Sequence, residues 1–400
     1  MKSLETYINE SFDRYLKLSD KDKNTLLKLD FEYHRLIEEF SLEQVHFMNI
    51  ENSGEEVKRI CKLIDNDKEF EINLKYEDSK FKDSKWCKEL LDKLNDLRNK
   101  FYMLDSFISK YYIAYIEKVI SSVEFLNKYS NNDKTVSKFV TKPPKHIFDE
   151  AVKILRETKY EDDKNFKDEY EHTISPEIAK ERLQKIIDNQ GYGWKVIIDD
   201  NMVPRMSVRP YKEFRISSNC KFSEVDLKSL EIHEINIHTA RKYYGLQTGL
   251  FLFLYGLDSS NIYDEGIAIY NSLTKLDKPK PNILFYIAIK IVTLYKLAET
   301  TPYETYKFIK DLTNAPDDII VLNMIRVSRI SNNTTLFSNS ANSDSRDMDY
   351  LVGYTLVKDM TDEEREDLIK YSIGPQQLFE LDTIKKFLNI NKFKPLEYKK

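Results

Sequence analysis

The chain has 400 residues, of which 41% are hydrophobic and 32% charged, and its net charge of −5 comes from sixty-two Lys and Arg scattered among sixty-seven Asp and Glu. That length exceeds what one small core fills and points to about two structural units. The interspersed charge excludes a duplex nucleic-acid footprint. The opening MKSLETYINESFDRYLKL has neither the apolar core nor the cleavage site of a secretory signal. The most apolar stretches, Thr248 to Leu257 and Asn282 to Leu294, are too short for a membrane span and read as buried helices. Cys61, Cys87 and Cys220 are odd in number and form no CxxC pair, so neither a disulfide framework nor a thiolate zinc site is expected, and a reducing, cytoplasmic setting is the default.

From Met1 to about Ser130 apolar residues recur at three and four, the helical period. The clearest run is Trp86, Leu90, Leu94, Leu97, Phe101, Leu104, Ile108, Tyr111, Tyr115, Val119 and Val123, which predicts one long or kinked helix packed in a bundle rather than a coiled coil. NLKYED near Tyr76 reads as a short extended piece. SNNDK at 130–134 and KPP at 142–144 break the pattern, a helix follows from Lys145 to about Thr158, and the charged stretch after it reads as an exposed loop before a helix starting near Pro176. After GYG at 191–193 the period changes to alternation in WKVIID, RMSVR and EFRIS, a small meander or mixed sheet with a two-residue turn at Asp200 and Asn201 between the first two strands. Helices follow to the end, with capping boxes at Thr301/Glu304 and Thr361/Glu364.

The chemistry concentrates in FSEVDLKSLEIHEINIHTARKYYG, Phe222 to Gly245. Ser223 as N-cap, Asp226 three residues on and Phe222 against Leu227 specify a helix start. His233, Glu234 and His238 then form HExxxH, one residue longer than HExxH. Five residues turn a regular helix by about 500°, which leaves the imidazoles roughly 140° apart. A π-bulge, or fraying after His233, would restore a shared face. Catalytic zinc takes three protein ligands and leaves one position open, and the best third ligand is Glu265 in YDEGIAIY, with Asp264 as its near competitor. Glu234, beside His233, is the natural general base. His34, His46, His146 and His172 have no ligand-like spacing.

These residues resemble the tyrosine carboxypeptidase family of zinc metallopeptidases, the microtubule-associated tyrosine carboxypeptidase-like proteins with HEIGTHxxR and EEGLA motifs. The matching letters are His233-Glu234-Ile235, His238, Arg241, Gly245, Gln247, Gly256-Leu257 and Glu265-Gly266-Ile267-Ala268. RDMDYLVGY at 346–354 resembles the family's KDxxYLxG segment, and WKVIIDD its strand before the site. The chain departs from the pattern at Asn236, Ile237, Tyr244, Thr248 and Asp264, which puts substrate choice and the geometry of the bulge in question. The helical period, the three alternating runs and the break near 130 predict an α+β, mostly helical fold with a helical N-terminal region over 1–130 and a catalytic domain over 131–400, and the resemblance implies that its core is zincin-like. It also implies one zinc ion and release of a C-terminal residue, Tyr in the branch acting on tubulin, from a protein or peptide tail. A carboxypeptidase must hold the terminal carboxylate, for which Arg215, Arg241 and Arg326 are candidates, and Tyr350 is a candidate oxyanion donor. The competing readings are a pseudoenzyme or partner-binding helical protein, with zinc structural or absent, and a zinc aminopeptidase or endopeptidase.

Overall fold

The computed structural model describes residues 19–47, 50–76, 78–104, 106–131, 142–161, 171–200, 205–209, 212–276, 282–329 and 346–388. The breaks expected at 132–134, the turn residue Asn201, most of the charged loop after Tyr160 and the Ser/Asn cluster at 331–345 lie outside these residues. Among the described residues the fold is mostly helical around one small sheet, and no helix is long and apolar enough to cross a membrane.

The first helices are α1 (Asp20–Phe47), α2 (Ser53–Ile64), α3 (Ser84–Leu104) and α4 (Ser109–Ser130). The single helix expected from Trp86 to Val123 is instead a hairpin. Phe101 of α3 stacks on Tyr112 of α4 at 4.2 Å, while Asn127, near the far end of α4, donates to the Phe81 carbonyl just before α3. The apolar period runs unbroken through Leu104 and Ile108, so periodicity could not register the reversal; folding back lets the two stripes bury each other. The extended piece at Tyr76 forms one antiparallel bridge with Ile50.

Helices α5 (Lys145–Glu157) and α6 (Pro176–Gln190) lead to β1 (Lys195–Asp199), β2 (Met206–Arg209) and β3 (Glu213–Ser217). Ser175 caps α6 and Gly191, at φ 71°, ends it in the left-handed region that glycine adopts without strain. The sheet is mixed and not a meander. Its order is β1-β3-β2, with β1 parallel and β2 antiparallel to the central β3, so no hairpin joins the first two strands. Phe214 and Ile216 of β3 point into the core while Arg215 lies on the opposite face.

The rest is α7 (Glu224–Leu230), a π-helical segment (Glu231–Thr239), α8 (Ala240–Gln247), α9 (Phe251–Tyr255), α10 (Ser260–Thr274), α11 (Ile283–Leu297), α12 (Pro302–Leu312), α13 (Asp317–Val327), α14 (Arg346–Val357), α15 (Asp362–Tyr371) and α16 (Leu381–Leu388). The capping boxes at Ser223, Thr301 and Thr361 all form. Both apolar cores draw on residues from either side of position 130: one joins α1, α3 and α4 to the sheet, α8, α9 and α15, and the other surrounds α11 and takes in Ile60 of α2.

Two contacts position the site. Buried Asp30 of α1 accepts from the Tyr112 phenol at 2.6 Å and from the backbone N–H groups of Phe251 and Leu252 at 2.9 and 3.2 Å, so α1 supplies the anionic cap that α9 lacks in its own sequence. One turn further along α1, His34 stacks on Phe251 at 3.9 Å and bonds the Tyr255 hydroxyl through Nδ1 at 2.8 Å. The second contact is a glycine crossing. A Cβ at Gly266 of α10 would sit 2.2 Å from the Gly353 carbonyl carbon, and one at Gly353 of α14 would sit 1.8 Å from the Ile262 carbonyl oxygen, so the two backbones touch and no side chain fits between them.

Two outcomes follow from these contacts. Burial lowers the His34 pKa from 6.5 to about 4, so the unfolded chain takes up that proton first. The stability contributed by neutral His34 is whole above pH 6.5 and is lost as pH falls toward 4, by up to about 3 kcal/mol. Urea unfolding across that range should show the slope, and His34→Gln should flatten it. Gly353→Ala forces the helices apart and should cost about 3 kcal/mol or more in the same measurement; an unchanged midpoint would contradict the crossing.

Candidate active site

The helix that starts at Ser223 opens with the Ser223 hydroxyl accepting from the Asp226 N–H at 3.1 Å, and the Asp226 carboxylate accepting from the Ser223 N–H at 3.0 Å. After two turns the chain widens into the π-helical segment Glu231–Thr239, and at its end the Ala240 N–H reaches back five residues to the Ile235 carbonyl. That hydrogen-bond step makes residues five apart neighbours on one face. The widening expected from the HExxxH spacing is therefore present, and extends over nine residues rather than a single bulge. Neither Asn236 nor Ile237 has positive φ, so the turn does not need the glycine that family motif carries there. Ile232, Ile235, Ile237 and Thr239 face the core, and His233, Glu234 and His238 are left half-buried on the other side.

The two imidazoles lie with centroids 5.2 Å apart. Glu265, carried on α10 immediately before the glycine crossing, brings Oε2 to 3.6 Å from His233 Nε2 and 3.5 Å from His238 Nε2. One donor atom from each of the three side chains lies within 4.8 Å of the others. Glu265 Oε2 is buried and has no hydrogen-bond partner. A tetrahedral ion with bonds of about 2.0–2.1 Å sets its ligand atoms about 3.4 Å apart, close to the two carboxylate–imidazole separations. An orphaned buried oxygen facing two imidazole nitrogens at that spacing suits a divalent cation. Ser272 Oγ lies 3.5 Å from His233 Nδ1, the outer side of the ring, which leaves Nε2 toward Glu265. Asp264, the competitor for the third position, points away into a buried ion pair with Arg241 Nε at 2.5 Å.

Without an ion the charges of the site are strongly coupled. Burial disfavours the His238 imidazolium, but the Glu265 carboxylate outweighs it and raises the pKa from 6.5 to about 9. Burial likewise opposes the Glu265 anion, yet His238 and His233 hold it far below the usual carboxylate range. A cation entering the site would take the place of that proton. Glu234 Oε1 is 3.9 Å from His233 Nε2, beside the cluster but outside the converging set.

Tyr350 lies on α14 one turn before Gly353, so the glycine crossing brings it to Glu265. The Glu265 charge, with burial, holds its phenol protonated well above the ordinary range, and Glu234 adds to this. Arg326 of α13 shares Asp347 with the buried Lys290 of α11: Arg326 Nη2 is 3.2 Å and Lys290 Nζ 3.1 Å from the same Oδ1. Arg215 is held by Asp199 at 2.8 Å and Glu213 at 2.6 Å. Arg241 is buried. The sequence reading missed two lysines. Lys242, four residues after His238, is lowered by burial and then by Arg241 from 10.5 to about 7, within the fields of Glu234 and Glu265. Its signal was the helical offset from His238. Lys290 gave none, because it sits in an apolar run read only as core.

The family model described as microtubule-associated tyrosine carboxypeptidase matches residues 66–385. A search of curated proteins found no match. With most of its length covered, the chain belongs to the microtubule-associated tyrosine carboxypeptidase family.

Proposed function

We propose that this member of the tyrosine carboxypeptidase family is a zinc-dependent enzyme with a zincin-like core that removes a C-terminal residue from a protein or peptide tail. Family membership implies tyrosine carboxypeptidase activity and a protein substrate. The observation that carries the zinc reading is the convergence of His233 Nε2, His238 Nε2 and the unpartnered Glu265 Oε2, with Glu234 beside them. His233, His238 and Glu265 would hold one zinc ion, which when bound acidifies water and polarises the scissile carbonyl.

The protein's own groups do the rest. Glu234 takes the proton of the attacking water and delivers it to the leaving amine, work for a carboxylate beside the ligands that is not itself one of them. Tyr350, kept protonated by its surroundings, donates to the oxygen that gains charge as the carbonyl becomes tetrahedral. Arg326 binds the terminal carboxylate of the substrate. It is preferred over Arg215, which two carboxylates hold, and over Arg241, which is buried against Asp264. Lys290 on the same Asp347 adds a second cation behind it. Cys61, Cys87 and Cys220 are all free, which suits a reducing, cytoplasm-like compartment.

Glu234→Gln should lower turnover by about a hundredfold or more while leaving zinc content and melting temperature unchanged. Stoichiometry by elemental analysis, together with a C-terminally labelled peptide, reads both. Full activity in that variant, or no zinc in carefully handled wild-type protein, sinks the mechanism. The carboxylate and oxyanion assignments separate kinetically: Arg326→Ala should raise KM about tenfold or more, and Tyr350→Phe should lower kcat about a hundredfold with little change in KM. An Arg326 variant that cleaves amidated and free C-termini with the same preference as wild type would reassign the anchor.

A further inference from the structure

Helix α11 buries one cation in an otherwise apolar stretch. Lys290 stands between Ile289 and Ile291, both fully buried, and is itself only 8% exposed. Taking an ammonium out of water costs several kcal/mol unless a carboxylate meets it. Asp347, in the first turn of α14 and more deeply buried still, does so at 3.1 Å. For the packing of α11 against α14 that one pair is sufficient.

A second cation nevertheless reaches the same carboxylate. Arg326 of α13 brings Nη2 to 3.2 Å from Asp347 Oδ1 and Nε to 3.4 Å from Oδ2. Two cations on one carboxylate leave the group with one positive charge in excess. Asp349, the next acid along α14, does not cancel it, because two residues turn the helix by about 200° and set it on the far side. Arg329, three residues after Arg326, adds positive field: burial lowers the Lys290 pKa, Asp347 opposes the shift, and Arg326 and Arg329 reinforce it.

Exposure decides where the excess charge is felt. Asp347 and Lys290 are covered, whereas the Arg326 side chain is 46% exposed and carries the surplus outward. The group also adjoins the metal cluster. Lys290 Nζ lies 5.7 Å from the Tyr350 ring centroid. The Tyr350 phenol stands in the field of Glu265 first, and of Arg326, Asp347 and Glu234 as well, so it borders both groups.

We propose that Lys290 determines specificity for a free chain end: it meets the charge of Asp347, and the Arg326 guanidinium is thereby left able to take a second carboxylate, that of the peptide terminus. This rests on the reading of Arg326 as the substrate anchor. Without Lys290 the Arg326–Asp347 pair is neutral, and a terminal carboxylate gains no net attraction over an amide or a continuing chain. Lys290 acts through Arg326 and does not touch the substrate.

The test reads binding instead of turnover. In the Glu234→Gln protein, fluorescence polarisation compares a labelled peptide ending in Tyr as its free acid and as its amide. The acid should bind about tenfold or more tighter. Adding Lys290→Met should bring the two affinities close to equal, while Arg326 still matches Asp347 and no buried carboxylate is orphaned. Adding Asp347→Asn to Lys290→Met leaves Arg326 as a lone cation and should restore the preference, a rescue that lost packing would not give. Should Lys290→Met alone fail to fold, Asp347→Asn should show the largest preference and the double variant about tenfold less. Undiminished preference in Lys290→Met, or no recovery in the double variant, overturns the proposal. If Arg326→Ala loses the preference while Lys290→Met keeps it, the role of Lys290 falls and the anchor stands; equal binding of acid and amide before any change at Lys290 overturns both.

Discussion

The wide turn between His233 and His238 is the constraint on which the rest of the site depends. With the two positions five residues apart, a regular helix would leave the imidazoles roughly 140° apart, and the carboxylate would face a single nitrogen. Closing the hydrogen bond over five residues instead of four brings both Nε2 atoms within 3.6 Å of Glu265 Oε2 while Ile232, Ile235 and Ile237 still reach the core. The capping box at Ser223 anchors the segment upstream, and α8 continues it downstream, so the wide turn is held at both ends. Of the residues that depart from the family's motif, Asn236 and Ile237 lie inside this turn, and neither has positive φ, so the wide turn forms here without a glycine.

A second constraint fixes where α10 stands relative to that turn. Gly266 and Gly353 touch backbone to backbone, and the residues beside them, Glu265 and Tyr350, are thereby placed together. A side chain at either glycine would part the helices by an ångström or more, and the carboxylate would move with α10. The ion pair between Arg241 and Asp264 acts in the same direction, since it turns the competing carboxylate away from the histidines and into a buried contact. The geometry of the His233, His238 and Glu265 cluster is thus a property of helix packing as much as of the three side chains.

The N-terminal helices belong to the same construction. Asp30 caps α9 from across the interface, and His34 lies flat on Phe251, so the loop between α8 and α10 is held by groups more than two hundred positions earlier in the chain. That interface also encloses a cavity lined by Phe40, Tyr115, Tyr255 and Ser260. Displacing α1 would loosen α9 first, and through it the start of the helix that carries Glu265.

Much of the site was legible in the chain itself. HExxxH, the capped start at Ser223 and the need for a widened helix follow from spacing and side-chain chemistry, because they are local; Glu265, on a separate helix, was picked out by its small neighbours and by the resemblance of its segment to the family's motif. The helical character of most segments and the buried runs near 250 and 285 were readable for the same reason. What periodicity could not register were reversals and partners: the α3–α4 hairpin inside an unbroken apolar stripe, the order β1-β3-β2, and the choice of Gly353 as the residue against which Gly266 packs. The fates of the arginines were equally hidden. Arg215, Arg241 and Arg326 are interchangeable letters until neighbouring strands and helices bring particular carboxylates to them, and that pairing depends on which surfaces meet in the folded chain.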